Sequence, residues 1–182
     1  MLRMMKVLAA TAGAAALLAV GALPASAATT ASTATDRGYT KVTIAPSTLA
    51  ALTSLGVSPG VVAPAAVSKA SPLSVHFPMV GYGSKKTVIK HVGGITLTAG
   101  ATTVTITDLY IDLARGRVSG DVAGIGRVDL FKIRPATNVR YGAVKLVLTS
   151  TAAGALNAAF GTTALTENFL FGYATPRPYS RF

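Results

Sequence analysis

Side chains able to ligate a metal or move a proton near neutral pH are few in this 182-residue chain: two histidines, six carboxylates and no cysteine. His76 alternates with Val75, Phe77 and Met79, which places it on the wet face of a strand. His91 shares parity with Ile89, and with Ile95 and Leu97 if the strand continues through Gly93-Gly94, so its imidazole turns toward the apolar side. Such a histidine serves either as a hydrogen-bonded core residue or as a ligand, and it is the leading single candidate for function. The adjacent Gly93 and Gly94 leave room for another backbone or a flat ligand to approach closely. Asp108 and Asp112 share a face of an unbroken strand, about 13 Å apart at the strand rise, farther than a glycosidase carboxylate pair. No G-x-S-x-G, H-E-x-x-H or phosphate-loop pattern occurs, and histidines on opposite faces argue against a metal site. These spacings favour binding over catalysis. Tyr82, between glycines in G-Y-G-S-K-K, either covers the sheet end or meets an anionic ligand beside Lys85 and Lys86.

The elements that must position these residues are strands. From Leu73 to Leu113 three runs alternate apolar with polar residues, are rich in Val, Ile and Thr, and are separated by glycine turns, the pattern of consecutive antiparallel strands with one buried face. Val104 and Ile106 have one parity, and Leu109, Ile111 and Leu113 the other. Either a bulge near Thr107-Asp108 restores the register or both faces are buried between layers. Two short helices follow strands: one after Lys41–Ile44, with Ser47 or Thr48 as cap, Leu49, Leu52 and Leu55 on one face and Gly56 at its end. The other has Ser150 or Thr151 as cap, Leu156 and Phe160 packing down, and Gly161 at its end. The Pro-rich stretch between Gly56 and Leu73 reads as a linker or a wandering edge segment. Seven to nine short strands with regular turn signals give a mainly β fold: an antiparallel β-sandwich, or a barrel-like equivalent, with two short peripheral helices.

A basic start with Arg3 and Lys6, an apolar run from Val7 to Leu23, then Pro24 and Ala25-Ser26-Ala27 form the pattern of a secretory signal peptide cleaved after Ala27. The expected organisation is signal 1–27, an Ala/Thr/Ser leader 28–38, one β domain 39–175 and a basic tail 176–182, with no membrane span after cleavage. Removing Arg3 and Lys6 leaves 15 basic residues against six acidic, a net charge of +9. That charge suits an anionic envelope polymer or a small anionic ligand, or simply keeps an exported domain soluble. Nucleic acid is not the expected partner, because the basic residues are scattered through the strands instead of forming one dense segment.

At H-F-P-M-V-G, V-I-K-H-V-G-G-I-T-L-T-A-G and T-I-T-D-L-Y-I-D the chain resembles small secreted actinobacterial proteins of uncharacterised function and, more distantly, the haem-transport-associated HtaA-type domain. That resemblance implies a two-sheet β-sandwich binding haem, with a tyrosine on the iron and a histidine hydrogen-bonded to it. His91 then matches the histidine and Tyr39 the tyrosine. A valine separates His91 from its glycine pair, and the family's tryptophan has no counterpart. The reading is a secreted, non-catalytic binding or cell-envelope module with no resident cofactor. Haem binding through Tyr39 and His91 is the alternative, and an enzyme acting on envelope polymers the third.

Overall fold

The computed structural model describes residues 37–68, 71–82 and 87–179. The expected signal peptide, the leader up to residue 36, Lys85, Lys86 and the last three residues lie outside the described residues. In chain order the elements are β1 (Gly38–Ile44), α1 (Pro46–Ser54), β2 (Ser58–Val62), β3 (Ala66–Ser68), β4 (Ser74–Tyr82), β5 (Val88–His91), β6 (Gly94–Ala99), β7 (Thr102–Asp112), β8 (Arg117–Val122), β9 (Gly126–Pro135), β10 (Val144–Leu148), α2 (Ser150–Phe160) and β11 (Leu170–Pro178).

Eight strands close an antiparallel barrel in the order β1, β4, β5, β7, β8, β9, β10, β11, with β11 returning to β1. Spatial order follows chain order, so this is an up-and-down barrel, the barrel-like form of the expected antiparallel fold. The remaining strands are insertions: β3 pairs with β4, β6 pairs with the first half of β7, and β2 pairs with β6. Closure leaves no free edge among the eight. Of the two alternatives for the Pro-rich stretch, its described strands β2 and β3 take the edge form, with Pro59 on an edge strand where a missing N–H is tolerated.

The alternation read from sequence sorts residues across this wall. Val42, Phe77, Met79, Ile89, Ile111, Val118, Leu146 and Ala174 are buried in the core, whereas Lys41, His76, Lys90, Arg117, Arg134 and Lys145 share the opposite parity. An apolar inside and a charged outside reverse the pattern of a lipid-facing barrel. An eight-stranded barrel is just wide enough for side chains to fill.

The phase change in β7 is a bulge. Ile106 pairs with Val122 and Ile111 with Val118, and the register slips between Thr107 and Tyr110. Asp108 takes the extra step at φ 49°, a left-handed conformation that a short polar side chain tolerates. Both Ile106 and Leu109 therefore face inward, opposite Gly120. A Cβ there would come within 2.7 Å of Ile106 and 3.0 Å of Leu109. Arg127 braces the bulge by donating to the Asp108 carbonyl at 3.0 Å, with its guanidinium 3.8 Å from the Tyr110 ring centre.

Both helices stand where expected, and their C-terminal glycines, Gly56 and Gly161, are left-handed at φ 65° and 61°. The caps differ. In α1 the N-cap is Ala45 with no side-chain bond, Pro46 opens the helix, and Thr48 is buried with its hydroxyl on the Leu170 carbonyl. In α2 the cap is Thr149, one residue before the expected Ser150. Its hydroxyl accepts from the Ala152 N–H and donates to the Asp129 carbonyl, tying the helix to β9. Thr149→Ala removes both bonds at a buried site and is expected to cost about 1–2 kcal/mol, read as a lowered midpoint in urea. The domain also runs past the expected boundary: Pro176, Arg177 and Pro178 belong to β11, because Thr40, Tyr39 and Gly38 pair with them.

Candidate functional site

His91 points into the barrel and is 2% exposed. Its Nδ1–H donates to the Leu109 carbonyl at 2.9 Å, so Nε2 is the acceptor and takes the Thr40 hydroxyl proton at 2.7 Å. Burial disfavours the imidazolium and lowers its pKa from 6.5 to about 4, the bond to the Leu109 carbonyl opposing this in part. A neutral ring with both nitrogens engaged is a core histidine that pins β5 to β1 and β7.

Tyr39 lies on the other side of the wall. Thr40, its neighbour, points inward to His91, and Tyr39 packs outside on His76 at 4.9 Å and Tyr179 at 6.5 Å between ring centres. The two residues that the HtaA-type resemblance pairs at haem are thus separated by β1 itself, and the His91 ring, turned inward to Thr40, does not hydrogen-bond to a tyrosine on the outside. The space beside His91 is about 40 Å³, against roughly 300–1,000 Å³ for sites that enclose a drug-sized ligand. These residues do not fit haem.

The glycine pair resolves toward its other alternative. A Cβ on Gly93 would meet the Ala65 nitrogen at 2.6 Å, and one on Gly94 would fall within the Ile106 carbonyl. The approaching group is this chain's own backbone. Tyr82 ends β4 with 37% exposure; its expected neighbours Lys85 and Lys86 lie outside the described residues.

What the fold assembles instead is a face. On the outside of β4, β1, β11, β10 and β9, cross-strand pairing sets Arg177 beside Tyr39, Lys41 between His76 and Thr175, and Lys145 between Tyr173 and Arg134. Tyr141 stacks on Tyr173 at 5.4 Å and 26°. With neighbouring strands about 4.8 Å apart and alternate residues about 6.7 Å apart, adjacent cations along this face are spaced about 5–12 Å. Among the described residues β4, β1, β11 and β10 carry no acid; Asp108 and Asp112 are on β7 and Asp121 on β8, while along β9 Asp129 is bonded to Arg115 and Glu167 to Lys132.

Two like-charged cross-strand pairs make the contrast plain. Arg117 faces Lys132, and there Glu167 supplies the counter-charge; the Lys132 ammonium, with Arg117 beyond it, holds the Glu167 carboxyl below its ordinary pKa. Arg134 faces Lys145, and among the described residues neither forms an ion pair with a carboxylate. Along the chain the basic residues are scattered, because they sit on four different strands. The available signal was their common parity once the strands are placed side by side.

Among the described residues no three His, Cys, Asp or Glu side chains gather as a metal site would require, and no helix is long and apolar enough to cross a membrane. The fold and face define an up-and-down barrel with a basic, tyrosine-lined flank. Compared with known proteins, the chain matches no family model, no curated protein and no solved structure.

Proposed function

We propose that this is an exported, non-catalytic binding module that holds an anionic polymer of the cell envelope on the face built by β4, β1, β11, β10 and β9. The observation that carries this reading is the Arg134–Lys145 pair. Like charges directly opposite in a sheet are destabilising by about 0.2–1 kcal/mol. This barrel gives the equivalent Arg117–Lys132 pair an ion pair to Glu167 and, among the described residues, gives Arg134–Lys145 none. A polymer carrying phosphates or carboxylates supplies the missing counter-charge, and Tyr39, Tyr141 and Tyr173 offer flat surfaces between the cations. The excess of basic residues and the signal-like N-terminus agree with it. Haem and catalysis gain no comparable support: the lone buried imidazole is occupied by Thr40 and Leu109, and Tyr39 does not converge with it.

The test pairs a loss with a gain. Arg134→Gln and Lys145→Gln are each expected to weaken retention on immobilised polyphosphate or polyglutamate and to flatten its log–log salt dependence by about one unit. Each is also expected to raise Tm by about 1–3 °C through relief of repulsion. Unchanged retention in the double variant would sink the reading. Preference for a single-stranded oligonucleotide over both polymers would replace the envelope partner with nucleic acid.

A further inference from the structure

At the end of the barrel where β1 runs into α1, the wall opens. The first half of β7 pairs with β6 instead of β5, and α1 and α2 stand over the gap. They do not fill it. A chamber of about 190 Å³ remains, walled by Leu52 and Leu55 of α1, Leu97 of β6, Val104 of β7, and Leu156 and Phe160 of α2.

Its lining carries no charged side chain, and its hydroxyls come from Thr48, Thr103 and Thr151. Two of these are already committed, Thr48 to the Leu170 carbonyl and Thr103 to Thr98. At the lip, Ile125 on the β8–β9 turn is 68% exposed, an apolar side chain held in water beside the opening. An apolar void of about 150 Å³ stays dry and takes up benzene; this one is larger.

We infer that this chamber is a binding site for a hydrocarbon chain of about eight carbons, scaled from the space benzene occupies, as in an acyl chain or a fatty alcohol. The occupant is not a helix. The volume corresponds to a compact span of about 6 Å, against roughly 10–12 Å for a helix with its side chains. The wall is hydrocarbon, with no fixed charge to orient a head group, so recognition is of the chain and the head group stays outside beside Thr151. This site is independent of the basic face.

The experiment is a fluorescence titration of the chain with N-phenyl-1-naphthylamine, followed by displacement with n-alcohols and the matching fatty acids. One saturable site is expected, with each added methylene tightening displacement about fourfold until the chamber fills near eight carbons, and then a plateau. Alcohol and acid of equal length should compete within a few-fold and without salt dependence. Ala155→Phe and Ala159→Phe, which fill the chamber from α2, should weaken the probe tenfold or more. Ile125→Ser, on an exposed turn, should weaken it several-fold. A parallel sedimentation with phosphatidylcholine vesicles separates the sources. Vesicle binding lost in Ala159→Phe means a chain drawn from a bilayer, and displacement without vesicle binding means a free amphiphile; either outcome supports the site. No saturable displacement, a strong salt-sensitive preference for acids, or affinities unchanged in all three variants would overturn it.

Discussion

Acidification from pH 7 to pH 4 is expected to remove about 3 kcal/mol of unfolding free energy through His91 alone. The imidazole titrates near 6.5 in an unfolded chain and at about 4 in the barrel, where it is buried. Between those values the unfolded chain binds the proton and the folded one does not, so stability rises with pH across this window. The contribution is complete above about pH 6.5, is lost progressively as pH falls, and levels off below about 4. Most of the window lies above the range where ordinary carboxylates titrate, which isolates the effect. His91→Gln supplies the control, because an amide can donate to the Leu109 carbonyl and accept from Thr40 as the ring does, without a titrating group. That variant should lose about 1–2 kcal/mol at pH 7 from poorer packing yet hold a flat stability from pH 6.5 to 4.5, so the two curves cross. Urea unfolding at pH 7, 5.5 and 4.5 measures this directly. Equal slopes for the two proteins would show that His91 does not carry the dependence.

The same residue shows what was legible in the sequence. Parity alone aimed His91 at the apolar side and His76 at the wet one, and both lie there, because a strand's two-residue period is a local property. The β7 phase change is legible for the same reason, with a bulge as one of its two explanations, and Asp108 is the residue that takes the left-handed step. Alternation is identical in a barrel and a sandwich and does not choose between them; the β11–β1 pairing that decides it joins residues more than a hundred apart in the chain. Tyr39 was assigned a role beside His91 by resemblance, and its own parity, opposite to that of Thr40, is what places it outside.

The two candidate binding features were hidden for different reasons. The basic face is made of isolated cations from β1, β11, β10 and β9, none adjacent in sequence, and only cross-strand register brings Arg134 opposite Lys145. The chamber is made of what α2 lacks. Ala155 and Ala159 read as helix-forming residues of no special interest, and the space in front of them exists only because β7 exchanges β5 for β6 along its length.

That exchange depends on one glycine, and the second large effect expected here is its substitution. Gly94 opens β6 opposite Thr107, next to the bulge where β7 changes partners. Its φ is not in the left-handed region, so the backbone itself would accept alanine. The obstacle is space: an added Cβ would fall within the Ile106 carbonyl and lie 2.9 Å from the Thr107 Cα. Backbone held in a closed ladder cannot swing aside as a side-chain tip can, so Gly94→Ala must push β6 off β7 or lose the pairing. A cost of about 3 kcal/mol is expected, the upper end for overpacking. Gly100→Ala is the comparison that separates space from strain. Gly100 is left-handed at φ 56° with nothing within 4 Å of its added Cβ, so conformation alone should cost about 1 kcal/mol. Denaturant unfolding of the two variants tests the difference, and equal costs would mean the β6–β7 contact is soft. Because β6 also supplies Leu97 to the chamber, Gly94→Ala should weaken the naphthylamine probe while Gly100→Ala leaves it unchanged. The pair that reads as room for another backbone or a flat ligand is then where the chain's own backbone closes the wall beside the chamber.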